Sequence, residues 1–118
     1  MHELAVCQGL MREVDRVARA AGASQVLSVT VRIGPLAGVE PQLIESAYPL
    51  ACAGTIAAGS ELIVERAALR VRCERCGEQS EVLSSHIVCA HCGHWQVQVL
   101  SGEELLLARV ELTRQCDA

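Results

Sequence analysis

Apolar residues at helical spacing open the chain. They recur at steps of three and four residues from Leu4 to Ala21, which predicts an amphipathic helix with one stripe facing a core. The predicted stripe is Leu4, Cys7, Leu10, Met11, Val14, Val17, Ala18 and Ala21. Gly22 follows directly and is well placed to end the helix, because glycine is favoured just after a helix.

The pattern then changes to alternation, which is typical of a strand. Apolar Leu27, Val29, Val31 and Ile33 alternate with Ser28, Thr30 and Arg32. This alternation predicts a strand with the apolar set buried and the other face in water. A loop containing Gly34-Pro35 follows.

Glu40-Pro41 predicts the start of a second helix. Proline fits the first helical turn, and an acid there faces the positive end of the helix dipole. Pro49 is expected to interrupt or bend this helix, because its ring removes an amide donor and crowds the preceding turn. The expected inner face is Leu43, Ile44, Ala47, Leu50 and Ala51.

Two further segments, Glu61 to Leu69 and Leu105 to Leu112, resemble strands. In the second, Leu106, Ala108, Val110 and Leu112 are expected to line one side. The cysteine-rich region lies between these strands. We therefore expect a main domain of residues 1–69 plus 98–118, with a metal-binding domain of residues 70–97 inserted between two of its strands.

Composition limits the size and surroundings of the protein. A chain of 118 residues has room for one domain, or for a small domain with a metal-stabilised appendage. A net charge of -4 argues against a surface made mainly to bind nucleic acid. No stretch approaches the roughly 20 apolar residues of a membrane span, and the first residues lack the basic segment followed by an apolar run that is typical of a signal peptide. We expect a soluble cytoplasmic protein that binds neither membrane nor nucleic acid.

Four of the seven cysteines form two Cys-x-x-Cys pairs. Cys73 and Cys76 are separated from Cys89 and Cys92 by twelve residues, Gly77 to Val88. This spacing brings four thiolates around one ion, and four thiolates favour tetrahedral zinc. A structural zinc ion would also supply folding energy to a segment too small for its own core. Metal ligation explains the cysteine count better than disulfides and indicates a reducing compartment.

Other interpretations of the cysteine region remain open. Iron in the same site would make an electron carrier, and zinc ribbons often bind nucleic acid, although Trp95 alone offers little for base stacking. His86, His91 and His94 lie beside the cysteines and are either surface residues or imidazoles able to replace a thiolate.

His2 is the second candidate metal ligand. The terminal amine of Met1, the His2 amide nitrogen and the His2 imidazole can wrap one cation in adjoining chelate rings. Such a nitrogen-rich planar arrangement suits Ni(II) or Cu(II). By itself a histidine near a terminus is weak evidence, because termini are often frayed.

Taken together, these features resemble the HypA/HybF family of hydrogenase nickel-incorporation proteins. The resemblance rests on Met1-His2-Glu3-Leu4 before an amphipathic helix, on Arg32-Ile33-Gly34 at the end of a strand, on Glu40 before a second helix and on the paired cysteines. It covers essentially the whole chain.

The resemblance implies an α+β fold, with two helices on a small, mainly antiparallel sheet and a four-cysteine zinc domain. It also implies that His2 is the principal nickel ligand, with Glu3 beside it and Glu40 close enough to ligate or orient it. The family's zinc ligands fall on Cys73, Cys76, Cys89 and Cys92. Zinc would be structural and nickel would be the cargo.

The function implied is that of a nickel metallochaperone and not an enzyme. Its partners would be the GTPase HypB and the large subunit of [NiFe]-hydrogenase, and in some members urease. The sequence leaves monomer and homodimer open. The alternatives are a zinc-ribbon module that binds nucleic acid and an adaptor in which zinc folds a protein-docking arm.

Overall fold

The computed structural model describes residues 2–114 and divides the chain into two compact units. One unit contains the residues up to Val31, Val39–Glu65 and the residues from Leu106 onward. The other contains Arg32–Gly38 and Arg66–Leu105. The division into residues 1–69 plus 98–118 and residues 70–97 stays a prediction.

The first unit is built on two helices, α1 (Glu3–Ala20) and α2 (Pro41–Cys52). Three strands form one sheet in the order β2-β1-β6, where β1 is Gln25–Ile33, β2 is Glu61–Arg66 and β6 is Leu105–Thr113. Among residues 2–114, neither helix has the combination of length and apolar character that a bilayer span requires. The predicted α+β class is confirmed.

The first helix buries four of the eight residues of its predicted stripe. Cys7, Met11, Val14 and Ala18 are buried at steps of three and four residues. The backbone of His2 is extended, with φ -86° and ψ 113°, so the helix begins directly after it. Arg19 lies in the last turn, where a cation faces the negative end of the dipole.

The predicted inner face of α2 is wrong in part. Ile44, Tyr48 and Cys52 are buried, whereas Leu43 is 52% and Leu50 is 71% exposed. Burial of Tyr48 is made possible by Ser60, because the two hydroxyl oxygens lie 2.7 Å apart and share a hydrogen bond. The helix begins at Pro41, as predicted, and continues through Pro49 to Cys52.

The alternation predicted for β1 is also wrong in its central part. Ser28 and Thr30 are buried along with Val29 and Val31, whereas Leu27 is 45% exposed. Because consecutive residues of a strand point to opposite faces, burial of Ser28 to Val31 shows that both faces of β1 are covered at this point. β1 is therefore buried on both sides in its central part, and its small polar residues Ser28 and Thr30 are part of the interior.

The edge strand β6 is less buried than its apolar sequence suggests. Of the side expected to line the core, Leu106 is 40% exposed and Ala108 is exposed, while Val110 and Leu112 are partly buried. β6 therefore contributes little to the fully buried core. That core is made by the helices and β1.

The second unit carries its own sheet, in the order β4-β3-β5. β3 is Arg70–Cys73, β4 is Gln79–Glu81 and β5 is Val97–Ser101, and β3 pairs antiparallel with both neighbours. Val71 is fully buried at the centre of this sheet. The first cysteine pair begins at the last residue of β3, so the sheet fixes where the cysteine loops start.

Candidate metal centres

The four paired cysteines meet at one point of the second unit. Their Sγ atoms all lie within 4.8 Å of one another. The Cys73 and Cys92 sulfurs are 3.6 Å apart, and so are those of Cys76 and Cys89. A disulfide requires about 2.05 Å between sulfurs, and these thiols are free.

The spacing of the sulfurs fits a tetrahedral zinc ion. With Zn–S bonds of about 2.3 Å, the edge of an S₄ tetrahedron is roughly 3.8 Å. The two edges of 3.6 Å come close to this value. The donor set is also complete, because a structural zinc site uses four ligands and keeps no open position.

Each cysteine pair is a tight turn in which backbone amides point at the first sulfur. The N–H groups of Arg75 and Cys76 donate to Cys73 Sγ, each over 3.4 Å. The second pair repeats this geometry, because His91 and Cys92 donate to Cys89 Sγ over 3.4 Å. Amide donors stabilise the negative charge of a thiolate.

Glycine closes both turns. Gly77 and Gly93 each have φ of 77°, a left-handed conformation that side chains with a Cβ rarely adopt. Their N–H groups donate to the carbonyl oxygens of Cys73 and Cys89 over 3.0 and 2.9 Å. The glycine after each Cys-x-x-Cys pair is thus required by the backbone of the turn.

The amides divide the four thiols into two kinds. The amide of Cys92 is the main cause that lowers the pKa of Cys89 to about 6, and the amide of Cys76 likewise lowers the pKa of Cys73. The amide of Glu78 lowers the pKa of Cys76, but desolvation and hydrogen bonds with the other thiols raise it to about 12.

Four thiols whose Sγ atoms lie within 4.8 Å of one another form a site suited to a cation. Like charges in contact cannot all ionise, so the thiols that hold two amide donors ionise first and their neighbours keep protons. A divalent ion reverses this preference, because it binds thiolates and releases their protons. The geometry and the electrostatics therefore both suit a dication held by four sulfurs.

The sequence did not point to Ser80. Its side chain is buried on β4, and its hydroxyl accepts a hydrogen bond from the Ala90 amide over 3.2 Å. Ser80 therefore ties the short edge strand to the second cysteine pair. In the sequence, Ser80 is one small residue between the polar residues Gln79 and Glu81. A pattern of three residues is too short to predict that its hydroxyl would be buried.

The histidines near the cysteines lie outside the cluster of four sulfurs. His86 and His91 are exposed, and His94 is partly buried with Nε2 3.1 Å from Gln96 Oε1. Cys89 donates its amide hydrogen to the His94 carbonyl oxygen over 2.9 Å. Replacement of a thiolate by one of these imidazoles stays a prediction.

His2 lies exposed at the start of α1. Its carbonyl oxygen accepts a hydrogen bond from the Val6 amide over 3.1 Å. The first amides of a helix have no partner within it, so the His2 amide nitrogen is not needed to build α1. Met1, whose terminal amine was predicted as a ligand, lies outside the described residues.

Both helices of the first unit begin at the same end. Cys7 Sγ lies 3.5 Å from the Ile44 carbonyl oxygen, and further along both helices Met11 Sδ lies 3.7 Å from Cys52 Sγ. The helices therefore run in the same sense. His2 and Glu40 each immediately precede a helix, so they lie at this common end.

Glu3 and Glu40 occupy different positions relative to His2. Glu3 lines a shallow cavity together with His2, and Glu40 is not among the residues that line it. Glu40 is exposed and makes no side-chain capping hydrogen bond to α2. Glu3 is therefore the acid that shares a surface with His2, while Glu40 lies at the start of the neighbouring helix.

Taken together, the helical unit and the four-thiol cluster define a small α+β protein with a candidate four-cysteine metal site. Comparison with known proteins gives the family. The family model described as "Hydrogenase/urease nickel incorporation, metallochaperone, hypA" matches residues 1–112. The chain belongs to the HypA family of nickel metallochaperones.

Relatives support this assignment over nearly the whole chain. A hydrogenase maturation factor HypA of Nitrosospira multiformis is 51% identical over 112 residues, which are 95% of this chain and 97% of that protein. The HypA of Aquifex aeolicus is 38% identical over the same shares. The solution structure of the nickel metallochaperone HypA from Helicobacter pylori has a TM-score of 0.69 at 21% identity and covers 98% of this chain and 100% of that one. This likeness concerns the fold.

Proposed function

We propose that this protein binds Ni(II) at its amino terminus and delivers it to the large subunit of [NiFe]-hydrogenase during maturation. The observation that carries the proposal is the exposed His2, which precedes α1 with an extended backbone and an amide that the helix does not use. The relatives named above are hydrogenase maturation factors. The protein transports an ion and is not an enzyme.

The proposed nickel ligands are the Met1 terminal amine, the amide nitrogen and imidazole of His2, and Glu3, with Glu40 as a ligand or an orienting charge. The positive end of the α1 dipole favours a deprotonated amide nitrogen, but it also repels the bound cation. Carboxylates at Glu3 and Glu40 offset that repulsion. Such a site holds nickel and still releases it to a stronger ligand set.

The proposed role of the four-cysteine site is different. Cys73, Cys76, Cys89 and Cys92 hold a structural Zn(2+), which fixes the loops of residues 70–97 as a metal-binding domain. The matching sulfur spacing and the glycine turns support this assignment. A metal ion enclosed by four sulfur ligands exchanges slowly, so zinc stays bound while nickel is delivered.

The proposed partners follow from the same role. The GTPase HypB acts with this protein, the hydrogenase large subunit receives the nickel, and urease maturation proteins are a further destination. We place these events in the cytoplasm, where thiols stay reduced.

A transfer experiment tests the proposal. Untagged, zinc-loaded protein is charged with nickel and mixed with nickel-free large-subunit precursor and HypB, and the nickel in each protein is measured after separation. We expect transfer from the wild type and none above background from His2→Ala, whose zinc content stays normal. Equal transfer by both proteins would reject the amino-terminal site, and no transfer by either would favour the docking-adaptor alternative.

A further inference from the structure

The outer side of α2 exposes apolar side chains. Leu43, Ala47 and Leu50 follow one another at steps of four and three residues, which places them on one stripe of the helix. Leu43 is 52% exposed and Leu50 is 71% exposed. We call these three residues the α2 stripe; it lies away from the buried side formed by Ile44, Tyr48 and Cys52.

The α2 stripe borders the proposed nickel ligands. All three of its residues line a shallow cavity of about 330 Å³ that His2, Glu3 and Leu4 also line. A molecule seated on the stripe would therefore cover His2. Large exposed apolar side chains that are continuous with a functional group mark interaction surfaces more often than isolated ones do.

The charge beside the α2 stripe is acidic. Neither residues 2–11 nor residues 41–52 contain a lysine or an arginine. Glu3 lines the cavity and Glu40 lies three residues before Leu43. Within residues 2–114 neither of these acids takes part in an ion pair. Among the described residues, this surface thus offers apolar contact and negative charge.

We infer that the α2 stripe, with Glu3 and Glu40 at its border, is the docking surface for a protein partner that presents apolar side chains flanked by lysine or arginine. The inference rests on the proposed function, because it assigns the surface across which nickel leaves. A second copy of this chain fits less well, since self-pairing on this surface would bring the acids of both copies together.

Docking of this kind also explains how the ion would be released. A lysine or arginine placed beside Glu3 and Glu40 competes with Ni²⁺ for their negative charge. The Ni²⁺ ion then leaves with its charge for ligands of the partner, and the deprotonated amide nitrogen takes a proton back from water. No electron is transferred.

The experiment measures partner binding of a variant that alters only the stripe. The probes are purified HypB and the hydrogenase large-subunit precursor, titrated with nickel-loaded protein by calorimetry. We expect the double variant Leu43→Ser, Leu50→Ser to bind the large-subunit precursor, which receives the nickel, about tenfold or more weakly, because exposed leucines that become buried in an interface contribute to affinity. Binding by the wild type should also weaken as salt is raised, because charges at a docking surface are screened.

The matched control is Leu83→Ser, because Leu83 is 72% exposed and lies in the second unit. It should leave both affinities unchanged. Nickel affinity of the double variant, measured without a partner, should equal that of the wild type. Unchanged affinity of the double variant for the large-subunit precursor, or equal loss in the control, would overturn the docking inference and leave the proposed function standing.

Two further outcomes would also overturn the inference. If the wild type forms dimers that the double variant does not form, the stripe is a contact between copies of this chain. If the wild type takes up no nickel, the proposed function fails and the docking inference fails with it. Sedimentation at several protein concentrations and a nickel titration distinguish these outcomes from each other.

Discussion

The sulfur atoms of Cys73 and Cys92 lie 3.6 Å apart although nineteen positions of the chain separate these residues. Cys73 ends β3, and Cys92 closes the second cysteine turn. Without a cation, ionisation of more than one of these closely spaced thiols would bring like charges into contact. The contact therefore indicates that metal binding and folding of the cysteine loops are coupled, so that a bound ion adds to the stability of turns already held by backbone hydrogen bonds.

Replacement of one cluster cysteine should release the structural metal. We expect Cys73→Ser to lose bound zinc and to destabilise the cysteine loops, because binding of a structural zinc ion contributes directly to the free energy of folding. Metal analysis and amide chemical shifts measure the two effects. Cys52→Ala is the control, since Cys52 is buried between the helices and outside the cluster. That variant should keep its zinc, and equal zinc loss in both would contradict the assignment.

The glycine turns should be sensitive to a single methyl group. Gly77→Ala places a Cβ on a backbone with φ of 77°, where no other atom lies within 4 Å, so the effect comes from the backbone alone. We expect about 1 kcal/mol of destabilisation and faster loss of zinc to a chelator. The control is Gly9→Ala in α1, where a Cβ meets only Arg12 at 3.5 Å and alanine favours the helix. If Gly77→Ala released zinc to the chelator more slowly than the wild type, alanine would not strain the turn.

The metal-free protein should depend on pH through Cys89. Its pKa is lowered to about 6 from an ordinary value of 9.0, chiefly by the Cys92 amide. A lowered pKa means that the folded state favours the thiolate. The stabilisation is therefore fully present above about pH 9 and is lost as pH falls through about 6.

Cysteine Cβ chemical shifts, followed from neutral to mildly acidic pH, check this expectation. Cys89 should protonate at the acid end, whereas Cys76, with a pKa raised to about 12, should stay protonated throughout. If Cys76 carried the thiolate at neutral pH and Cys89 did not, the amide donors would not control the ionisation.

Glu40 should contribute to nickel binding through its charge. We expect Glu40→Gln to weaken nickel binding by about threefold to tenfold, because the substitution removes a carboxylate that offsets the positive helix ends. Glu45→Gln is a matched control on the same helix, since Glu45 is exposed and outside the cavity beside His2. Nickel titrations of the two variants at low salt make the comparison. Equal loss of nickel affinity in the two variants would show that Glu40 acts only through the general negative charge of the surface.

Local patterns predicted the parts of the fold that depend on neighbouring residues in the chain. The stripe of α1, the start of α2 at Pro41 and the cluster of Cys73, Cys76, Cys89 and Cys92 all follow from spacing within short segments. Metal-ligand spacing is informative because two short loops suffice to bring four sulfurs together.

The errors arose where distant residues decide burial. The sequence of α2 has apolar residues on most sides of the helix, so its periodicity does not define one inner side. The buried side contains Tyr48, whose hydroxyl shares a hydrogen bond with Ser60, twelve positions later in the chain. The burial of Ser28 and Thr30 in β1 depends on what covers the second face of the sheet. Neither relationship is contained in the periodicity of one segment. The same holds for Ser80 on β4, whose hydrogen-bond donor Ala90 lies in the second cysteine turn.

The most direct test of the account is a nickel titration by calorimetry of untagged, zinc-loaded protein beside its His2→Ala variant. We expect the wild type to bind nickel tightly and with an affinity that falls as pH falls, because the amide ligand must lose its proton. We expect His2→Ala to lose tight binding while its zinc content and helical structure stay unchanged. Nickel binding of equal affinity in both proteins would contradict the account.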